Sequence, residues 1–473
     1  MVVYIQKRIK KKNKRKLYLR GKVYYNFNKV SDDMKYYCIG IKGTGMSTLA
    51  QILSDLGNEV SGYDDDQNYK FTQKGLDDRK IPIYYDHDHE IDKDTIVTYS
   101  VAFKEDHPEI QRVKALDLAI VKYNEVMGQL VARFDSIGVS GTHGKTTTSF
   151  IIKHILENTI GCNYFIGSGD GYAVPDNQYF VVESDEFNRH FTAYRPTYAI
   201  ITNIESEHLE CYQDIDDIRN TFEIFANQTS KLVVANGDNA EVKKIHYNCR
   251  TIFFGFGFQN DVIIKNLKLS EEGSRFDLYF GEDLYGSFEL PLYGKHMVQD
   301  ACAAIIICKE IGIEKTRIYE LLKTFKNTER RFAIKKIGET IVVDDYAHHP
   351  TEIKMTLEAV RQKYPQKRLV VVFRPNTYSR TRDFKNEFVD ALCVADKVYL
   401  TEIDSNREKQ EEYPGVRSSL IVDSIPDAEL IDVGSISKLG NELDSVICFM
   451  SCAHTDDLLD AFNEYVSHLS PEE

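Results

Sequence analysis

Residues 135–158 read DSIGVSGTHGKTTTSFIIKHILEN, and this stretch narrows the possible folds more than any other. A β-rich run leads into Gly141-Thr-His-Gly-Lys-Thr and then into a segment with apolar residues at helical spacing, so strand, glycine loop and helix follow without a break. Such a loop presents backbone N–H groups at a helix N-terminus, where phosphate oxygens are attracted. Lys145 is then placed to reach the outer phosphates, and the Thr146 hydroxyl to ligate Mg²⁺. The pattern GxxxxGKT asks for glycine at 139; the chain has Val139, with glycines at 138 and 141, so the loop is a variant. The candidate ATP residues here are Gly141, Thr142, His143, Gly144, Lys145, Thr146 and Thr147. A chance glycine turn is the competing reading.

The same alternation begins earlier. From Met34 the order is YYCIGI, KGTG, MSTLAQILSDLG and NEVSGYD, which predicts a parallel sheet with crossover helices. Gly40, Gly43 and Gly45 let the backbone approach a ligand at a helix start, and Asp64 ends the second strand about twenty residues on. The spacing is GxxGxG, not the GxGxxG of dinucleotide enzymes, so a nucleotide-diphosphate site is favoured over an NAD site. After the phosphate loop, YFVVESDEFNRHF brings Glu183, Asp185 and Glu186 to a strand end, and YAIITNIESEHLECY brings Asn203, Glu205, Glu207 and His208 to another. One such cluster is usually a solvated loop, but two of them after a phosphate loop suit hard oxygen ligation of Mg²⁺. The last third repeats the pattern, with Asp344, Asp345, His348 and His349 after one strand and Arg374 and Arg380 after another.

Charge decides against nucleic acid as a partner. The net charge is −14, and residues 1–35 hold twelve Lys and Arg against two Asp and Glu, a net of +10 that leaves −24 on the other 438 residues. An acidic body supplies no basic face for phosphate backbones. The leader, 1–33, is expected to lie outside the enzyme, either without structure or preceding a translation start at Met34. No apolar run is long enough to span a membrane, and the nine cysteines show neither CxxC pairs nor a disulfide framework. Reduced thiols in a cytoplasm are expected.

GIKGTGMSTLAQ, GTHGKTTTS, TNIESEHLECY, RRF, DDYAHHPTEI and PNTYSRT occur in this order, and together they resemble the ATP-dependent Mur ligases from Met34 to the C-terminus. The resemblance implies an α/β protein of three domains. These are a Rossmann-like UDP-sugar domain over 34–133, a central P-loop ATPase domain with a mostly parallel sheet over 134–331, and a Rossmann-like amino-acid domain over 332–473. The implied reaction joins L-alanine to the lactyl carboxylate of UDP-N-acetylmuramate through an acyl phosphate, using ATP and Mg²⁺, in peptidoglycan precursor synthesis. DDYAHHPTEI and the IGIKGTGM opening point to alanine. So does the absence of lysine from Leu209 to Ser230, where relatives that add later amino acids carry a carbamylated lysine.

By resemblance the catalytic residues are Lys145, Glu183 and His208, and the metal shell is Thr146, Glu183 and His208. His296, Asp300, Arg331 and Asp345 join the ATP site. Gly43, Thr44, Gly45, Met46, Asp64 and Ser100 hold the UDP-sugar, and Tyr346, His348, Asn376 and Arg380 the amino acid. The chain departs from the family at Arg374 and Asn376, which replace Gln and His, at Asp300, which replaces Asn, and at Ser451-Cys-Ala-His, which replaces GAGD. A monomer or homodimer is expected. The alternatives are a recycling ligase that attaches a murein peptide to the same UDP-sugar, and a nucleotide-binding regulator without catalysis.

Overall fold

The computed structural model describes residues 33–469 apart from Ser168, Leu209, Thr328, Glu329, Asn406, Arg407 and His454, together with the backbone of two short antiparallel strands, Lys16–Leu19 and Lys22–Tyr25. The leader expected over 1–33 otherwise lies outside the described residues. The chain forms two compact units, Met1–Phe253 and Phe254–Glu473. The break falls inside the stretch 134–331 read from sequence as one domain.

The first unit opens on a five-stranded parallel sheet of β1 (Lys35–Ile39), β2 (Glu59–Tyr63), β3 (Ile83–Tyr84), β4 (Ile96–Tyr99) and β5 (Ala119–Ile120), in the order β3-β2-β1-β4-β5. The Tyr-Tyr-Cys-Ile run of β1 is buried throughout, as expected of a strand covered on both faces. Helix α1 (Thr44–Asp55) follows it, with Leu49, Ile52 and Leu53 fully buried. β1 pairs with β2 on one side and β4 on the other. The order therefore reverses at β1, and the crevice beyond the strand ends at such a reversal is where open α/β sheets bind ligands.

Helix α2 (Tyr123–Arg133) leads to a second sheet. Its strands in this unit are β6 (Asp135–Ser140), β7 (Asn163–Ile166), β8 (Asp170–Tyr172), β9 (Tyr179–Glu183), β10 (Tyr198–Ile201) and β11 (Leu232–Asn236), ordered β8-β7-β9-β6-β10-β11 and parallel except at β8. Here β6 is the switch strand, flanked by β9 and β10, and it feeds the phosphate loop and helix α3 (Lys145–Glu157). One continuous core joins the two sheets: Leu49 and Leu53 of α1 belong to the same cluster as Phe180, Val182 and Phe225.

The second unit contains an antiparallel meander, β12 (Val262–Ser270), β13 (Gly273–Phe280) and β14 (Asp283–Leu290), and the long helix α4 (Lys295–Ile311). The mostly parallel pairing expected over 134–331 holds for β6, β7, β9, β10 and β11. The meander adds antiparallel strands, joined by turns at Glu271–Glu272 and Gly281–Glu282 that are too short to hold crossover helices.

After it comes a six-stranded sheet of β15 (Ala333–Ile337), β16 (Thr340–Asp345), β17 (Leu369–Phe373), β18 (Lys397–Leu400), β19 (Glu429–Leu430) and β20 (Val446–Met450). The order is β15-β16-β20-β17-β18-β19, parallel except at β15. Helix α5 (Pro350–Lys363) packs on one face, and helix α6 (Asp456–Leu469) on the other. No helix among the described residues is long and apolar enough to cross a membrane.

Candidate active site

The phosphate loop is shaped by two glycines and braced from the neighbouring strand. Gly144 caps α3 with φ +81°, a conformation open to few residues other than glycine. Gly141 has φ +141°, and a Cβ there would stand 1.9 Å from Thr202 Oγ1. The segment after β10 then holds the loop. Thr142 N–H donates to the Asn203 carbonyl (3.1 Å) and His143 N–H to Asn203 Oδ1 (2.8 Å), while Asn203 Nδ2 donates back to the His143 carbonyl (3.0 Å). The first-turn N–H groups of Lys145 and Thr147 precede the first intrahelical bond of α3, from Thr148 N–H to the Gly144 carbonyl, at the end of the helix that attracts anions.

Lys145 is folded against its own loop. Its ammonium donates to the carbonyls of Gly141 and Thr142 and to both oxygens of Glu186, at 3.0 and 2.9 Å. Burial works against its charge, but Glu186, Asp185 and Glu183 outweigh it and hold the amine protonated, above the ordinary lysine range. Glu183 ends β9 and takes the Thr146 hydroxyl at 3.1 Å and the Gly167 N–H at 2.9 Å.

His208 sits at φ +55°, a strained position of the kind that collects at functional sites. Its Nε2 is 4.0 Å from Glu186. Burial lowers its pKa, but Glu210, Glu207, Glu186 and Asp185 outweigh burial and raise it overall. Asp185, Glu186 and His208 offer ligand atoms that all lie within 4.8 Å of one another. Oxygen-rich donors of this kind, with Thr146 and Glu183 alongside, fit Mg²⁺.

The second glycine loop lies at the first sheet's switch point. Asp64 follows β2 and Ser100 follows β4, on either side of β1. Gly40 has φ +77°, and a Cβ there would meet the Phe103 ring at 2.7 Å and Ser100 at 3.0 Å. Asp64 is buried, and its two oxygens accept from the Lys42 and Asp66 N–H groups, so it organises the loop. The Met46 side chain lies in the core, which leaves its backbone as its ligand-facing part. Ser47 N–H already bonds the Gly43 carbonyl; the N–H groups of Thr44, Gly45 and Met46 precede the first intrahelical bond and stay open.

In the second unit Asp345 ends β16 buried, accepting from Phe332 N–H (2.7 Å), Ala347 N–H (2.9 Å) and Thr356 Oγ1 (3.1 Å). Burial raises its pKa, and the Arg331 charge opposes the rise. The guanidiniums of Arg330 and Arg331 lie 5.4 and 4.8 Å from the Tyr346 ring. His348 Nδ1 lies 3.1 Å from the Tyr346 carbonyl and 3.2 Å from Glu352. Arg380 donates to Asn376 Oδ1 at 2.8 Å. His296 and Asp300 stand four residues apart on one face of α4, with Asp300 buried.

Three family models match the chain: "Mur ligase family, catalytic domain" over 35–135, "Mur ligase middle domain" over 139–308 and "Mur ligase, glutamate ligase domain" over 330–467. The UDP-N-acetylmuramate--L-alanine ligase of Ligilactobacillus salivarius is 38% identical over 443 residues, 93% of this chain and 99% of that protein. The chain belongs to the Mur ligase family. Among solved structures, the UDP-N-acetylmuramate-alanine ligase of Thermotoga maritima shares the fold with a TM-score of 0.75 at 24% identity, covering 92% of this chain and 100% of that one. A murein peptide ligase from Psychrobacter arcticus gives 0.65 at 20%, covering 93% and 100%.

In this Mur ligase the structure brings together most of the residues singled out from sequence. Lys145, Thr146 and Glu183 form one cluster, with His208 joined to it through Glu186. Gly43, Thr44, Gly45, Met46, Asp64 and Ser100 surround one loop, and Arg331, Asp345, Tyr346 and His348 share one strand end. Two contributions carry no clear sequence signal. Glu186, expected with Glu183 and Asp185 to suit Mg²⁺, also pairs with Lys145, a partnership that nothing in the residue pattern indicates. Lys42, 1% exposed, donates to the carbonyls of Asp66 and Asn68 at 2.6 Å each and so pins the chain after Asp64. Its only sequence signal is a lysine set among glycines.

Proposed function

We propose that this Mur ligase joins L-alanine to the lactyl carboxylate of UDP-N-acetylmuramate at the expense of ATP, giving ADP and phosphate, in peptidoglycan precursor synthesis. The observation that carries this reading is the braced 141–147 loop, with Lys145 paired to Glu186 and Thr146 to Glu183. The alanine assignment is supported by the Ligilactobacillus salivarius relative, whose similarity spans nearly the whole of both chains. The UDP-sugar domain covers 34–133, the ATP domain 134–331 and the amino-acid domain 332–473. The enzyme works in the cytoplasm as a monomer or homodimer, without nucleic acid or membrane.

The chemistry sets what each residue must do. A carboxylate and a triphosphate repel, so attack on the γ-phosphorus needs positive charge and fixed orientation. The α3 N–H groups and the Lys145 ammonium supply both, with Lys145 exchanging Glu186 for phosphate oxygens as ATP enters. Thr146, Glu183 and His208 would hold Mg²⁺, which would supply neutralisation of phosphate charge when bound. Tyr346, His348, Asn376 and Arg380 hold the amino acid, whose amine displaces phosphate from the acyl carbon through a tetrahedral intermediate.

Phosphate release with UDP-N-acetylmuramate, ATP and Mg²⁺ tests the assignment, offering alanine, glycine, serine or a murein tripeptide in turn. Alanine is expected to give the highest kcat/KM. Release with the tripeptide alone would assign the chain to murein recycling, and release with none would leave a regulator.

A further inference from the structure

We propose that the Tyr123 hydroxyl donates a hydrogen bond to the pyrophosphate of the UDP-sugar, as a binding residue that no sequence motif signals. The inference rests on placing that substrate at the 40–46 loop. Tyr123 is the first residue of α2, and its ring packs partly buried against the core. A methyl group on Gly45 would stand 2.8 Å from its hydroxyl oxygen and 3.4 Å from Cζ. The phenol therefore lies over the first turn of α1, beside the open N–H groups of Thr44, Gly45 and Met46. Glycine at 45 is what permits the approach, since any side chain there would push the ring away.

The hydroxyl makes no hydrogen bond among the described residues. The His190 ring centroid lies 5.6 Å from that of Tyr123. Burial, with the Asp185 charge adding to it, holds the phenol protonated well above the ordinary tyrosine range. A protonated hydroxyl directed at a helix N-terminus meets whatever that terminus binds, and N-termini favour phosphate oxygens. In the UDP-sugar the group that matches is the pyrophosphate, and a bond to an anionic oxygen is about twice as strong as a neutral one.

The test is Tyr123→Phe, which removes one oxygen and keeps the ring. Calorimetric titration with UDP and with UDP-N-acetylmuramate should show about tenfold weaker binding of both, the fold-change of a lost charge-assisted bond. In turnover the loss should appear in KM for the UDP-sugar and not in KM for ATP. Unchanged affinity for both ligands would overturn the inference, and so would a loss confined to UDP-N-acetylmuramate, which would put the contact on the sugar. Asp64→Ala separates the two levels of the argument. If it weakens UDP-sugar binding while Tyr123→Phe does not, only the tyrosine contact fails; if neither does, the substrate has been placed at the wrong loop.

Discussion

Replacing Lys145 with alanine should abolish turnover, by about 10³-fold or more, the scale on which a cation at a transferring phosphoryl group acts. UDP-sugar affinity should stay close to wild type, because the 40–46 loop lies at a different strand end. The substitution also leaves Glu186 buried without its partner, 3% exposed, and breaking a buried pair from one side typically costs about 3–5 kcal/mol. A lower melting temperature is therefore expected, which by itself could be mistaken for the cause of the lost activity. The double variant Lys145→Ala/Glu186→Gln removes the stranded charge. It should recover much of the melting temperature and none of the turnover. Recovered activity in the double variant would mean that Lys145 serves folding alone.

Gly141→Ala should be nearly as damaging for a steric reason. An alanine Cβ would sit 1.9 Å from Thr202 Oγ1, and that hydroxyl already donates to the His143 carbonyl at 2.5 Å. Either the threonine or the loop must move, and φ near +141° is unfavourable for alanine even with space made. Strain of about 1–3 kcal/mol at the loop corresponds to an ATP KM raised roughly 5- to 150-fold. Adding Thr202→Ala should relieve the clash but not the backbone strain, giving partial recovery. Full activity in the single variant would show that the loop is not held in the conformation described.

How far the sequence alone could foresee these sites depends on where each residue's role is encoded. The glycine loop from Gly141 to Thr147 was legible because loop chemistry fixes both residue types and spacing, and β1 because its nearly unbroken apolar run marks a strand covered on both faces. Asp64 was placed correctly at its strand end, yet its carboxylate turned out to bind backbone N–H groups of its own loop. Position follows from pattern; partner does not. The pairing of Lys145 with Glu186 joins residues 41 apart in the chain, and the approach of Tyr123 to Gly45 spans a longer gap. Contacts of that range are decided by how helices pack on sheets and carry no local periodicity.

Activation of the lactyl carboxylate by direct phosphorylation, as proposed, is tested most directly by isotope transfer. UDP-N-acetylmuramate labelled with ¹⁸O in its carboxylate, incubated with ATP, Mg²⁺, L-alanine and the wild-type enzyme, should release phosphate carrying one labelled oxygen, because the carboxylate oxygen that attacks the γ-phosphorus leaves with it. Unlabelled phosphate accompanying amide formation would contradict the account.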